Sequence, residues 1–223
     1  MWNNQSISWI FFDIGETLVD ESKPIGDSIE QFVQQAGKLG YSIEAPTVKQ
    51  ALMDYHRQLC EFPMRHVMKQ LVPSEQDRLA IWKAMAFRKE LEEPYPESLK
   101  VLSTLQPHYK IGIIANQSKG TVSRLEKYGM LPYISLVCCS AETGLSKPDA
   151  RFYELALKEA GCLPGQAVMI GDRIDNDVIP AKSLGMSAIW VRQGLAKHQD
   201  IPQNHTAPDA VVECLNDILA YFA

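Results

Sequence analysis

The chain has 223 residues, 46% of them hydrophobic, and a formal net charge of −5. At a soft scale of ~150 residues per domain, this allows one large domain or one domain carrying an insertion, and the apolar content excludes an intrinsically disordered chain. The mild acidity gives no electrostatic footprint for nucleic acid or an anionic membrane surface, and no apolar run approaches the ~18 residues of a membrane span.

The first residues, Met1-Trp2-Asn3-Asn4-Gln5, lack the charged and apolar regions of a signal peptide. The five cysteines (Cys60, Cys138, Cys139, Cys162 and Cys214) form no Cys-x-x-Cys pair. Reduced structural thiols and a cytoplasmic location are the expectation. Residues 7–13 read as a buried strand whose apolar run stops at Asp13. In open α/β sheets ligands bind outside the carboxyl ends of the strands, so a carboxylate there is poised as a nucleophile or metal ligand.

Residues 21–94 contain no convincing strand. Ile25, Ile29, Phe32, Val33 and Ala36 keep the spacing of an amphipathic helix, Val48, Leu52, Tyr55 and Leu59 form a second stripe, and Leu79, Trp82, Met85 and Ala86 a third. Prolines at 24, 46, 63, 73, 94 and 96 punctuate them, as proline starts or ends helices. The aromatic residues Phe32, Tyr55 and Trp82 are expected in the core of this segment rather than on a substrate wall.

From residue 97 onward short Ile- and Val-rich runs alternate with helical patterns. Strands are predicted at Lys110–Ala115, Ile134–Cys139, Ala167–Gly171 and Ser187–Val191, with an edge strand at 209–212. Helices are predicted at Glu97–Leu105, Gly120–Tyr128, Ala150–Ala160 and Asp175–Leu184, and a last one near Cys214–Phe222. Runs that are apolar on both faces suit a parallel sheet, and the strand–helix rhythm predicts an α/β fold with a doubly wound, Rossmann-like sheet.

Four segments together carry a resemblance to the haloacid dehalogenase (HAD) superfamily. They are Asp13-Ile14-Gly15-Glu16-Thr17, the run Ile111 to Asn116, Gly144-Leu145-Ser146-Lys147-Pro148-Asp149, and Gly171-Asp172 with Asp177 five residues on. Any one is weak; all four in order, each at a strand end or helix start, are specific, and the resemblance spans about residues 7–192. It implies a core of residues 1–20 and 95–223 and a small all-helical cap of residues 21–94 inserted after the first strand.

The resemblance further implies a hydrolase, most simply an Mg²⁺-dependent phosphatase acting on a small phosphorylated metabolite. Asp13 would attack phosphorus and form an aspartyl-phosphate, with Thr17 completing the motif. Mg²⁺ would be bound by Asp13, the backbone carbonyl of Gly15 and Asp172, with Asp177 orienting metal-bound water or Lys147. Lys147 would add positive charge, and Asn116 and Ser118 would bind phosphoryl oxygens. Phosphoryl transfer needs such groups because it is mostly positioning and electrostatics. Without the family context, Asp13 reads as a turn cap, Lys147 as a surface ion pair, Asp175 and Asp177 as helix N-terminal acids, and Asn116 and Ser118 as helix caps. None of the five histidines has paired metal spacing.

Two departures stand out. Gly15 replaces the aspartate that family phosphatases use to protonate the leaving oxygen, and Ala115 replaces a phosphate-binding hydroxyl. Glu16 is the adjacent carboxylate that would substitute. Losing general acid–base catalysis costs typically ~10²–10⁴-fold, so activated acyl or aryl phosphates would suffer least. Two other readings stay open: phosphonate or dehalogenase chemistry on the same scaffold, the former needing a reactive lysine among Lys23, Lys49, Lys69, Lys83 and Lys89, or a binding protein with decayed chemistry.

Overall fold

The computed structural model describes residues 7–222; the leading segment read for a signal peptide lies outside them. The chain runs β1 (Trp9–Phe12), β2 (Val19–Asp20), α1 (Ser22–Lys38), α2 (Ala45–Arg57), α3 (Pro63–Leu71), α4 (Glu75–Ala84) and β3 (Glu93–Pro94). It continues through α5 (Ser98–Leu105), β4 (Lys110–Ala115), α6 (Thr121–Lys127), β5 (Leu136–Cys139), α7 (Ser140–Thr143) and α8 (Ala150–Ala160). It ends with β6 (Ala167–Gly171), α9 (Ile179–Ser183), β7 (Ser187–Val191) and β8 (Ala210–Val212).

Six strands form one parallel sheet in the order β5-β4-β1-β6-β7-β8. β1 is central: Phe12 is level with Ile113 of β4 and Ile170 of β6, so these three strands end side by side. Strand order reverses at β1, and a crevice opens there at the carboxyl ends.

Alternation of side chains feeds two cores. Ile10, Phe12, Ile113 and Ile170 pack with Val101, Leu102 and Leu105 of α5 and with Leu215 and Ile218. Phe11, Met169 and Trp190 face the other way, against Phe152, Tyr153 and Ala156 of α8. Gly112 is small because a Cβ there would lie 2.5 Å from the Phe11 ring.

The helices α1–α4 pack around a separate apolar cluster of Ile29, Phe32, Val48, Leu52, Val67, Met68 and Ile81. The chain enters and leaves this unit through the antiparallel pair β2/β3, in which Val19 faces Pro94 and Asp20 faces Glu93. Ser98 Oγ fastens the junction from beneath by donating to the Leu18 carbonyl at 2.7 Å.

Several local readings change. The segment thought strand-free contributes β3, which has too few residues to show a period. Helix α3 follows no stripe identified in the sequence. In α4 the inward residue is Ile81, whereas Leu79 and Trp82 are 53% and 50% exposed; Trp82 lines a cavity instead of the core. Phe32 is fully buried, and Tyr55 is half-buried beside His66. The predicted helix 175–184 divides into a π-turn, Ile174–Val178, followed by α9, and the last helix is a 3₁₀ turn, Leu215–Tyr221. All five cysteines are free thiols. Among the described residues no helix is long and apolar enough to cross a membrane.

Candidate active site

Asp13 leaves β1 with its N–H donating to the Ile170 carbonyl at 2.9 Å, which anchors it to the neighbouring strand. The chain then turns tightly: the N–H groups of Leu18 and Val19 both reach the Ile14 carbonyl, and Glu16 takes a φ of +54°. The turn projects the Asp13 carboxylate into the crevice, 13% exposed.

Lys147 is the hub. Its Nζ donates to Asp13 Oδ1 and to Asp177 Oδ1, each at 2.6 Å, and the side chain is 2% exposed. Asn116, just past β4, holds this lysine by its backbone: Oδ1 accepts from the Lys147 N–H at 2.8 Å and Nδ2 donates to the Lys147 carbonyl at 2.9 Å. The Asn116 amide thus positions the lysine with one N–H and one lone pair, and its second N–H remains on the cavity lining. Asp177 is fixed by the π-turn, with Oδ2 accepting from the Arg173 N–H at 3.0 Å. Gly171 is glycine because a Cβ there would run into the Asp177 carboxylate.

Asp13, Asp172 and Asp177 present carboxylate oxygens within 4.8 Å of one another. With all three carboxylates ionised against one ammonium, the formal charge of this nearly dry site would be −2. An all-oxygen donor set with that excess suits a hard dication such as Mg²⁺. Burial pushes the Asp172 carboxyl well above the usual range, reinforced by Asp177 and Asp13. It also raises Asp177 to about 6, although Lys147 pulls the other way. Burial alone would lower Lys147, but Asp13 and Asp177 outweigh it and hold the ammonium above the ordinary lysine range.

A cavity of about 170 Å³ is lined by Asp13, Gly15, Asn116, Lys147, Asp172 and Asp177. Ser118 is exposed and outside this lining. Thr17 is fully buried beneath it, its Oγ1 without a hydrogen-bond partner. Glu16 lines the cavity edge, but Oε2 accepts from the Tyr95 hydroxyl at 2.9 Å and Oε1 from the Glu21 N–H at 3.0 Å.

Sequence reasoning missed several lining groups. Glu21, at the start of α1, brings its carboxylate against Gly15, where a Cβ would lie 2.6–2.8 Å from it. Burial raises this carboxyl to about 7 against the pull of Lys89, whose ammonium stands 3.7 Å away. Lys89 itself is held by Glu92 at 2.8 Å and Gln117 at 2.5 Å. His56 and Arg173 line the cavity, and burial lowers the His56 imidazole to about 4, with Arg173 adding to it. These groups belong to no short motif; a carboxylate soon after the first motif is the one trace Glu21 leaves in the sequence.

A second, apolar cavity of about 400 Å³ adjoins the first and shares Ile25, His56, Arg173 and Leu195 with it. Gln199 ties the two sides together by donating to the His56 carbonyl at 3.0 Å and to Asp175 at 2.7 Å.

A parallel sheet whose central strand ends in an aspartate, with a lysine and two further aspartates converging on it, defines a HAD-type α/β hydrolase. The family model for haloacid dehalogenase-like hydrolases matches residues 10–191, and the chain belongs to that family. A glyceraldehyde 3-phosphate phosphatase of Methanothermobacter thermautotrophicus is 28% identical over 84% of this chain and 87% of its own length. The protein of the same name from Methanocaldococcus jannaschii is 32% identical, over 58% of this chain and 56% of its own. Among solved structures, a HAD phosphatase from Thermococcus onnurineus superposes with a TM-score of 0.66 at 24% identity, covering 97% of this chain and 98% of that one.

Proposed function

We propose that this hydrolase is a phosphatase of small phosphorylated metabolites, working through an aspartyl-phosphate on Asp13. The observation that carries the reading is the Lys147 ammonium bridging Asp13 and Asp177 at 2.6 Å in a cavity at the end of the central strand. The phosphatase relatives support the substrate class.

Asp13 attacks phosphorus in line, and water then releases phosphate from the aspartyl group. Lys147 offsets charge on the transferring group, and Asn116 keeps it in register. Asp177 holds the ammonium from the far side. Asp13, Asp172, the Gly15 carbonyl and, more remotely, Asp177 are the groups that would hold Mg²⁺. When bound, the ion screens the repulsion between the Asp13 carboxylate and the phosphoryl oxygens. Helices α1–α4 act as a cap that excludes bulk water and sets selectivity. The organic part of the substrate occupies the adjoining apolar cavity beside Trp82 and Met85. Phosphonate chemistry needs a free amine, and Lys89, which stands 3.7 Å from the cavity-lining Glu21, is tied to Glu92 and Gln117.

The test is phosphate release from acetyl phosphate, p-nitrophenyl phosphate and sugar phosphates with and without Mg²⁺. The Asp13→Asn protein should lose turnover while still unfolding cooperatively in denaturant. An equally active variant overturns the nucleophile.

A further inference from the structure

An alkyl phosphate expels a poor leaving group unless its oxygen is protonated, and glycine at position 15 has no side chain to do it. Glu16 is committed elsewhere: its oxygens accept from the Tyr95 hydroxyl and the Glu21 N–H, and its Cγ, Cδ and Oε2 lie against Gly194, where a Cβ would come within 2.6–2.8 Å of them. Glu21 is differently disposed. Its carboxyl carbon and both oxygens lie 2.6–2.8 Å from where a Cβ on residue 15 would stand, so they fill the space a residue-15 side chain would enter. The side chain is 17% exposed and lines the same cavity as Asp13 and Lys147. Its nearest cation, Lys89, stands at 3.7 Å, an ion-pair distance beyond hydrogen-bond length.

The geometry points to Glu21 as the general acid and base of this active site, supplied by the first turn of the cap in place of the missing side chain on the core loop. The assignment rests on the phosphatase reading. As Asp13 bonds to phosphorus and the ester P–O bond breaks, the Glu21 proton passes to the leaving oxygen and the alcohol departs. The resulting carboxylate then takes a proton from water, whose oxygen bonds to phosphorus as the bond to Asp13 breaks. Phosphate leaves and Glu21 is again protonated. Position 15 is glycine so that the Glu21 carboxyl has room.

The test compares an alkyl phosphate, glycerol 3-phosphate, with acetyl phosphate, whose leaving group is stable as an anion. kcat/KM reports events up to loss of the alcohol or acetate. In Glu21→Gln it should fall ~10²–10⁴-fold for glycerol phosphate and far less for acetyl phosphate. kcat should fall for both, with phosphorylated protein accumulating in the mass spectrum because water is no longer activated. Gly15→Ala, whose new Cβ evicts the carboxylate, should reproduce that pattern. The pair Gly15→Asp with Glu21→Ala should restore alkyl-phosphate hydrolysis, because it returns a carboxyl to the space that Glu21 vacates. An equal loss of kcat/KM on both substrates, or no loss on glycerol phosphate, overturns the role of Glu21 while Asp13-dependent hydrolysis of acetyl phosphate keeps the phosphatase reading. Activity indifferent to Asp13→Asn overturns both.

Discussion

Replacing Lys147 by methionine tests the electrostatic account of the site through stability alone. The substitution keeps the buried stem and deletes an ammonium that lies 2.6 Å from each of two carboxylates. Asp13, Asp172 and Asp177 are then left with oxygens within 4.8 Å of each other. At an effective dielectric of about 20, one like-charged pair at that separation costs about 3.5 kcal/mol. Removing one partner of a buried ion pair typically costs about 3–5 kcal/mol, a large part of the ~5–15 kcal/mol that holds a domain folded. Urea unfolding at pH 7 with EDTA should show Lys147→Met destabilised by about 3–5 kcal/mol. Because the folded-state pKa of Lys147 is raised, its contribution is fully present below the unfolded value of about 10.5 and is lost only at higher pH. The deficit should shrink when Mg²⁺ replaces EDTA, because the cation then offsets the carboxylates that the ammonium no longer faces. A variant within ~1 kcal/mol of the parent in EDTA at pH 7, less than the cost of a broken buried pair, would refute the idea that the ammonium compensates ionised carboxylates.

His56 should make stability pH-dependent. Its folded pKa is lowered from 6.5 to about 4, so the unfolded chain binds the extra proton in that window and stability is lost as pH falls through it. The shift corresponds to at most about 3 kcal/mol, and His56→Gln should flatten the difference in unfolding free energy between pH 7 and pH 4; parallel curves would argue against a buried neutral imidazole. Gly112→Ala forces a methyl against Phe11 and should cost about 1–3 kcal/mol in chemical denaturation. Adding Phe11→Leu should recover part of that loss, and an additive double variant would locate the strain elsewhere.

The strands of the core were legible because a parallel sheet buried on both faces leaves continuous apolar runs, and β4, β6 and β7 start and stop where those runs do. The motifs that carry Asp13, Lys147, Asp172 and Asp177 were visible in the sequence, Asp13 and Asp172 just past strand ends and Lys147 and Asp177 in the turns that follow, and the fold brings the four together. The rest of what lies between elements was not legible. The stripe of α4 gave the wrong inward face, since Ile81 rather than Trp82 meets the helical core, and a period read over few residues does not fix its phase. Asn116 carries the right residue type for a phosphate donor, but its two hydrogen bonds to the Lys147 backbone follow from where the chain after β4 passes and could not be read from the sequence. Restoring a carboxylate at Gly15 looks favourable in the sequence alone, but Glu21 already fills that space. The sequence by itself determined the sheet, through local patterns of burial, and pointed to the family through four motifs in fixed order. Only the tertiary structure decided which carboxylate stands beside the missing one, because that depends on where the first turn of the inserted helices comes to rest against the core.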